Sequence, residues 1–370
     1  MRRMPSLTEN IGFMALGLSV IIHVAFVSVT LGVGVLTAWY RYVAYKRRSE
    51  EMEARARRLL GLLAASELMS GVWGTVITVF LAGLFPGLTD LATNVLFLPI
   101  SIAIIGIFIR IPSIAAFWYL WGRVDPRKHV ALGFVMATSG FLIPLGFRTI
   151  FAETMSPHAI ATYLASGSAP IAQAYTNPLL WVLYAHTVVA VLSVGGYMAY
   201  TVLGIHRDNQ GAAGALRVGL YLLVAQLLFG PLYWLTLRAH SSYVYQNVTF
   251  GLTSPLFYLK LATIAVLLYT SVKALRALRT GRIIYTKNLG FTALFVAILG
   301  EFINDASRYP YMVVTGKEGL PISMFFNYYL DVMQALPILS VILFMILLGL
   351  GIGTFAIYLG VARKMIDYVS

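Results

Sequence analysis

The sequence predicts an all-α, polytopic membrane protein with about nine transmembrane helices. Three observations carry that reading. The 370 residues are 59% hydrophobic and only 11% charged, whereas a soluble domain sits near half apolar and a quarter charged. Apolar runs recur along the whole chain, many exceeding the roughly 20 residues that cross a bilayer core. Lysine and arginine, finally, are distributed unequally between alternate connections.

Taken in order, the apolar runs place helices at about 11–38, 59–85, 96–121, 130–152, 179–204, 217–237, 255–275, 289–306 and 332–361. The first run, Ile11 to Tyr40, is too long for a signal-peptide core and lacks a small-residue cleavage site, so it reads as a retained span. Pro99, Pro112, Pro144 and Pro231 fall inside spans, where neighbouring helices can satisfy the freed carbonyls. The connection 41–58 reads as a short charged helix lying against anionic lipid headgroups. The connections 153–178, 238–254 and 307–331 are longer and rich in Gly, Pro and Tyr.

Orientation follows from the basic residues. The segments after helices one, three, five and seven, with the C-terminal tail, hold 19 of the 27 Lys and Arg, and the opposite side holds six. The remaining two, Arg110 and Lys260, lie within spans. Basic residues near span ends mark the cytoplasmic side, which puts the N-terminus outside and the C-terminus in the cytoplasm of a plasma-membrane protein. This sidedness also accounts for the net charge of +13 without nucleic acid as a partner. The expected partner of most of the surface is membrane lipid. Cysteine is absent, which excludes thiolate-bound iron–sulfur clusters and covalently attached c-type haem.

Helix one contains His23 followed by eight mostly apolar or small residues and Gly32; helix five repeats the pattern from His186 to Gly195. Each opens a set of four helices. The expected architecture is therefore one membrane domain, 1–370, built as two four-helix bundles (1–152 and 179–306) plus a ninth helix at 332–361.

Ionisable side chains inside a bilayer are functional candidates because each costs several kcal/mol unless paired or hydrated. Here they are His23, Glu67, Arg110, His186, Lys260, Glu301 and Asp305. At 1.5 Å per residue, His23, His186, Glu301 and Asp305 fall in the outer half of the membrane, with Arg308 at its surface. Two histidines, two carboxylates and an arginine at similar depth suit b-type haem, imidazole serving the iron and cations the propionates. The blander readings stand beside this. A buried histidine also serves helix–helix hydrogen bonding, and Arg110 with Glu67 or Glu301 suits a structural ion pair better than a proton path. His129, His158, His206 and His240, in loops or at span ends, read as solvated surface.

Four segments resemble subunit I of the cytochrome bd-type oxidases. Ile22-His23-Val-Ala-Phe-Val-Ser-Val-Thr-Leu-Gly32 is similar to that family's first helix, and Asn177-Pro178-Leu-Leu-Trp-Val-Leu-Tyr-Ala-His186-Thr187-Val188 to its fifth. Asp125-Pro126-Arg127-Lys128-His129 falls where the family has a short basic turn. Gly300-Glu-Phe-Ile-Asn-Asp305-Ala-Ser-Arg308-Tyr-Pro310-Tyr311 resembles a degraded form of its outer Gly-Trp-x-x-x-Glu-x-Gly-Arg-Gln-Pro-Trp signature. The resemblance implies haem b with His186 as an axial ligand. It implies a second haem near His23 and Asp305, with Arg308 and Lys260 beside propionates, and Glu67 and Glu301 become candidates for a proton path. It also implies a second membrane subunit, and quinol or another electron donor.

The sequence departs from the family in places. Ala262 stands where the family's methionine ligand is expected, and Pro112 replaces one of two helix-three glutamates. Tyr309 and Tyr311 replace Gln and Trp, and 238–254 replaces the long quinol-binding loop. The resemblance thus carries a haem-binding electron-transfer subunit, an oxidoreductase, further than it carries quinol oxidation at that loop or four-electron reduction of oxygen. The alternative is a degenerate scaffold subunit, partly haem-less, of a membrane respiratory complex. A secondary transporter fits less well, because its charged site belongs at the midplane.

Overall fold

The computed structural model describes residues 5–326 and 337–369. Arg2, Arg3 and positions 332–336 of the expected ninth helix lie outside the described residues. Among those described, nine helical segments are long and apolar enough to cross a membrane, each overlapping one predicted span. The chain is a multi-pass membrane protein.

Helix α1 (Leu7–Arg47) opens on a capping box: Ser6 Oγ accepts the Glu9 N–H and the Glu9 carboxylate accepts the Ser6 N–H. It continues past the bilayer to Arg48, which takes the left-handed conformation at φ 50°. Ser49 then caps α2 (Glu50–Leu84), its hydroxyl accepting from the Met52 N–H at 3.3 Å. The expected headgroup helix at 41–58 is thereby corrected. Those residues are the adjoining ends of two long helices joined by a tight turn, and partner side chains rather than lipid satisfy key charges. Arg55 grips Asp208, and Arg41 donates to His129 Nδ1 at 3.1 Å.

A short helix α3 (Pro86–Asn94) leads into α4 (Phe97–Tyr119). The fourth span is two helices, α5 (Pro126–Ser139) and α6 (Leu142–Met155), broken at Gly140–Phe141. The Gly140 N–H turns to Thr138 O, freeing the Met136 carbonyl, which accepts Arg110 Nη1 at 2.9 Å. A buried guanidinium thus supplies the hydrogen bond that the break removes.

The chain continues through α7 (Ala159–Ser166), α8 (Leu180–Ile205), α9 (Asn209–His240), α10 (Ser242–Thr249), α11 (Ser254–Arg279) and α12 (Thr286–Ala306). An antiparallel hairpin follows, β1 (Tyr311–Thr315) with β2 (Glu318–Pro321), and then α13 (Pro337–Val369). Helices α7 and α10 and the hairpin crowd one end of the molecule, here called the loop-rich end. Glu153 orders this end. Its Oε2 accepts the N–H groups of His158, Ala159 and Ile160 at 2.8, 2.8 and 3.1 Å, and its Oε1 accepts Asn177 Nδ2 at 2.8 Å. A carboxylate on the first N–H groups of α7 is favoured by the helix dipole.

The spans form two four-helix sets. In the first, α1 packs on α2 and α5, and α4 on α5 and α6; in the second, α8, α9, α11 and α12 pack in a ring. The sets meet along α1 and α8, and α13 lies against α2 and α1. Gly32 and Gly195, the glycines of the repeated sequence pattern, meet at this crossing. A Cβ on Gly32 would overlap the Val191 carbonyl oxygen, and one on Gly195 would overlap the Gly32 backbone. Each histidine of the pattern stands nine residues, about 14 Å, from the crossing along its own helix.

Candidate functional site

The two histidines flank a buried polar cluster near the loop-rich end. His23 on α1 is half-buried, and its Nδ1 lies 2.8 Å from the Ser70 carbonyl oxygen of α2. A carbonyl only accepts, so Nδ1 carries the proton and Nε2 keeps its lone pair. His186 on α8 stacks on Tyr233 of α9 with ring centroids 5.7 Å apart, and its buried Nδ1 has no hydrogen-bond partner. Gln226 Nε2 donates to the His186 main-chain oxygen at 2.6 Å.

Between the histidines lies an ion pair that spans the two sets. Arg148 of α6 donates from Nη1 and Nη2 to Glu301 Oε1 and Oε2 of α12 at 3.0 and 2.8 Å. Both side chains are buried, and this bidentate geometry is the strongest form such a pair takes. Glu301 is near enough to act electrostatically on His23, Lys260 and Asp305, while Arg148 and Lys260 act on His186. Lys260 on α11 presses its Nζ toward Gly300. Asp305 accepts from Arg308 Nη2 at 3.3 Å, and Arg308 Nη1 donates to Met312 O of β1 at 3.0 Å. The structure thus brings His23, His186, Lys260, Glu301, Asp305 and Arg308 into one region.

Several polar atoms in this region are buried without partners: His186 Nδ1, Gln226 Oε1, Asn304 Nδ2, Asp305 Oδ2 and Arg308 Nε. Native interiors pair nearly all such atoms, so a concentration of them marks a place where a ligand completes the bonding. An imidazole and a carboxylate with free ligating atoms, beside a lysine and an arginine, are the donor set that a haem with two propionates takes. Among the described residues no cluster of three or more ligating side chains forms a separate metal site.

Glu67 lies deeper. It accepts from Thr30 Oγ1 at 2.5 Å and from Arg110 Nε at 3.2 Å, while Arg110 also donates to the Thr30 carbonyl at 3.0 Å. Arg110 therefore pairs with Glu67, and Glu301 belongs to Arg148. The sequence reading counts Arg148 among the six outer-side charges, although it falls inside the predicted fourth helix, 130–152. Its place inside a predicted span was the signal that could have found it. Tyr233, Gln226, Asn304 and Ser70 were also missed, since neutral side chains in apolar helices carry no such signal.

The solvated reading of His129 is corrected. It is fully buried, stacked on Phe117 at 4.2 Å, accepts from Arg41 at Nδ1 and donates from Nε2 to Phe117 O at 2.9 Å. Both nitrogens are committed, which leaves no ligating atom.

A family model for cytochrome bd terminal oxidase subunit I matches residues 14–249. The chain belongs to the cytochrome bd terminal oxidase subunit I family. No curated protein matches the chain. Among solved structures, the bd oxidase from Geobacillus thermodenitrificans is similar, with a TM-score of 0.78 at 15% identity over 96% of this chain and 98% of that one. That likeness carries the fold, nine spans in two four-helix sets with an added helix. The family match takes in His23, Glu67, Arg148 and His186; Lys260, Glu301, Asp305 and Arg308 lie beyond it. Within this bd-type subunit, Ala262 is exposed and lies about 140° around α11 from the buried Leu267. The position at which the sequence resemblance expects the family's methionine ligand therefore points away from the packed face, on which Lys260 lies.

Proposed function

We propose that this bd-type subunit is the haem-carrying, electron-transferring subunit of a membrane oxidoreductase. The observation that supports this most is the set of unpartnered polar atoms around His186 and Asp305, in a region with two buried arginines, the half-buried Lys260 and two carboxylates. Haem, when bound, supplies the one-electron redox chemistry. The chain's residues do the rest. His186 is the nitrogen donor for haem b, and His23 with Asp305 serve a second haem. Arg308 and Lys260, the cations not held in a bidentate pair, offset propionate charge in a medium that penalises unpaired ions. Glu301 and Glu67 hold or pass protons only by releasing Arg148 and Arg110, so either carboxylate gates a proton path rather than forming an open one.

The remaining expectations belong to the same reading. The protein sits in the plasma membrane with the loop-rich end outside, the sets 1–152 and 179–306 fold as bundles, and a second membrane subunit completes the complex. The donor is quinol or another reduced carrier. Ala262, turned off the packed face, favours a scaffold with fewer haems as the second reading.

Oxidised and dithionite-reduced absorption spectra of the detergent-purified protein test this, with haem quantified as pyridine haemochrome beside His186→Ala. The expected result is stoichiometric b haem in the parent, lost or reshaped in the variant. A parent that binds no haem in any preparation leaves only the scaffold.

A further inference from the structure

The two histidines sit against glycines in the same way. A Cβ added to Gly74 of α2 would stand 3.2 Å from His23 Cε1, and one added to Gly230 of α9 would stand 3.9 Å from His186 Cε1. One turn before each glycine, at Ser70 and Gln226, the same helix hydrogen-bonds the histidine. Helices α2 and α9 are the second spans of their sets, so the device occurs twice at matching places.

The two copies differ in which atom is held. In the first set the Ser70 carbonyl takes the ring Nδ1–H of His23 at 2.8 Å. In the second the Gln226 amide donates to the main-chain oxygen, and no backbone carbonyl holds the ring Nδ1 of His186. Contact with Gly74 is also the tighter. At 3.2 Å a methyl group needs the imidazole to give by a few tenths of an ångström, whereas 3.9 Å is ordinary contact. The absence of a side chain at residue 74 lets the imidazole of His23 lie close on α2 and reach the second lone pair of a helical carbonyl.

We propose that Gly74 and the Ser70 carbonyl are a positioning seat for His23. They fix its tautomer and present Nε2 as a preorganised ligand nitrogen, while His186 has no such seat. This rests on the haem reading above for what Nε2 binds. A ligating imidazole whose other N–H is held by a carbonyl is fixed in orientation and made a stronger donor, and loss of that partner costs about tenfold or more in affinity.

The test uses the full-length chain with ¹⁵N-labelled histidine, expressed with haem supply limited, the His23 signals being assigned by their loss in His23→Gln. His23 in the parent is expected as the Nδ1–H tautomer, and Gly74→Ala is expected to shift it to the Nε2–H or a mixed form. In haem-loaded protein Gly74→Ala should lower the affinity for one haem about tenfold and lower the iron–imidazole stretching frequency of whatever remains. Gly71→Ala, on the same helix with open space around it, should leave haem content unchanged. Should Gly74→Ala fail to fold, the parent's tautomer decides alone. A parent that binds haem with His23 protonated at Nε2 overturns the seat. A parent that shows the Nδ1–H tautomer but never binds haem overturns the ligand role together with the reading it rests on.

Discussion

Asp208 does two tasks with one carboxylate. Its Oδ1 accepts the Gly211 N–H at 2.8 Å and so caps α9, while both oxygens accept from Arg55 of α2, at 2.6 and 2.8 Å. The pair ties the two helix sets together at the basic end. Arg55 is almost fully buried, its side chain 2% exposed. Burial pushes the Asp208 carboxyl up, but hydrogen bonds from Arg55 and Gly211 and the nearby Arg58 charge outweigh it and hold its pKa below the ordinary 3.8. A depressed carboxylate contributes stability that is fully present above its unfolded pKa and is lost as pH falls through the folded one. Asp208→Asn retains a capping side chain but leaves the buried Arg55 guanidinium to the exposed Glu51 carboxylate. We expect a loss of about 3 kcal/mol in thermal unfolding of the detergent-solubilised protein. The difference between parent and variant should stay level from about pH 8 to about pH 5 and shrink only below 3.8. A difference that vanishes near neutral pH would mean that the pair is not what holds this end.

Helices α1 and α8 meet closely at Gly32 and Gly195, and the contact follows from the absence of side chains there. Overpacking a tight contact costs about 1–3 kcal/mol, and more where backbone must move. Gly32→Leu should therefore lower the unfolding temperature or abolish a monodisperse species, whereas Gly17→Ala on the same helix, with open space around it, should change neither. Equal effects from the two would remove the crossing from the account. The glycines were visible in the sequence as the ends of the His-x8-Gly repeat, and the nine spans were visible in hydropathy. The ends of the helices were not. Hydropathy reports where lipid lies, whereas α1 and α2 continue to Arg47 and from Glu50 on helix-favouring charged residues and caps. The break at Gly140 was hidden as well, because its compensating donor, Arg110, lies on another span. At the candidate site the ionisable residues announced themselves by their cost in the bilayer. Ser70, Gly74, Gln226 and Tyr233 matter only through tertiary adjacency, which a single apolar helix does not encode.

At the scale of the molecule, charge and shape agree on an orientation. The loop-rich end is built from neutral and aromatic segments, with Glu153 turned inward onto backbone, and carries few basic residues. The opposite end displays Lys46, Arg47 and Arg48 at the α1–α2 turn, all exposed. An anionic cytoplasmic leaflet favours such basic segments by about 1 kcal/mol per residue near the surface, so several acting together outweigh any preference of the neutral end. In that orientation the site around His186 and Asp305 would lie in the outer half of the membrane. With no native cysteine, single cysteines report sidedness cleanly. Lys317→Cys at the exposed hairpin turn should react with a membrane-impermeant maleimide in intact cells, and Lys46→Cys only once the membrane is opened. The reverse pattern would invert the protein and place the site in the inner half. Labelling of both positions in intact cells would mean that the basic end is not sealed from the outside, and would undo the assignment of this end to the cytoplasm.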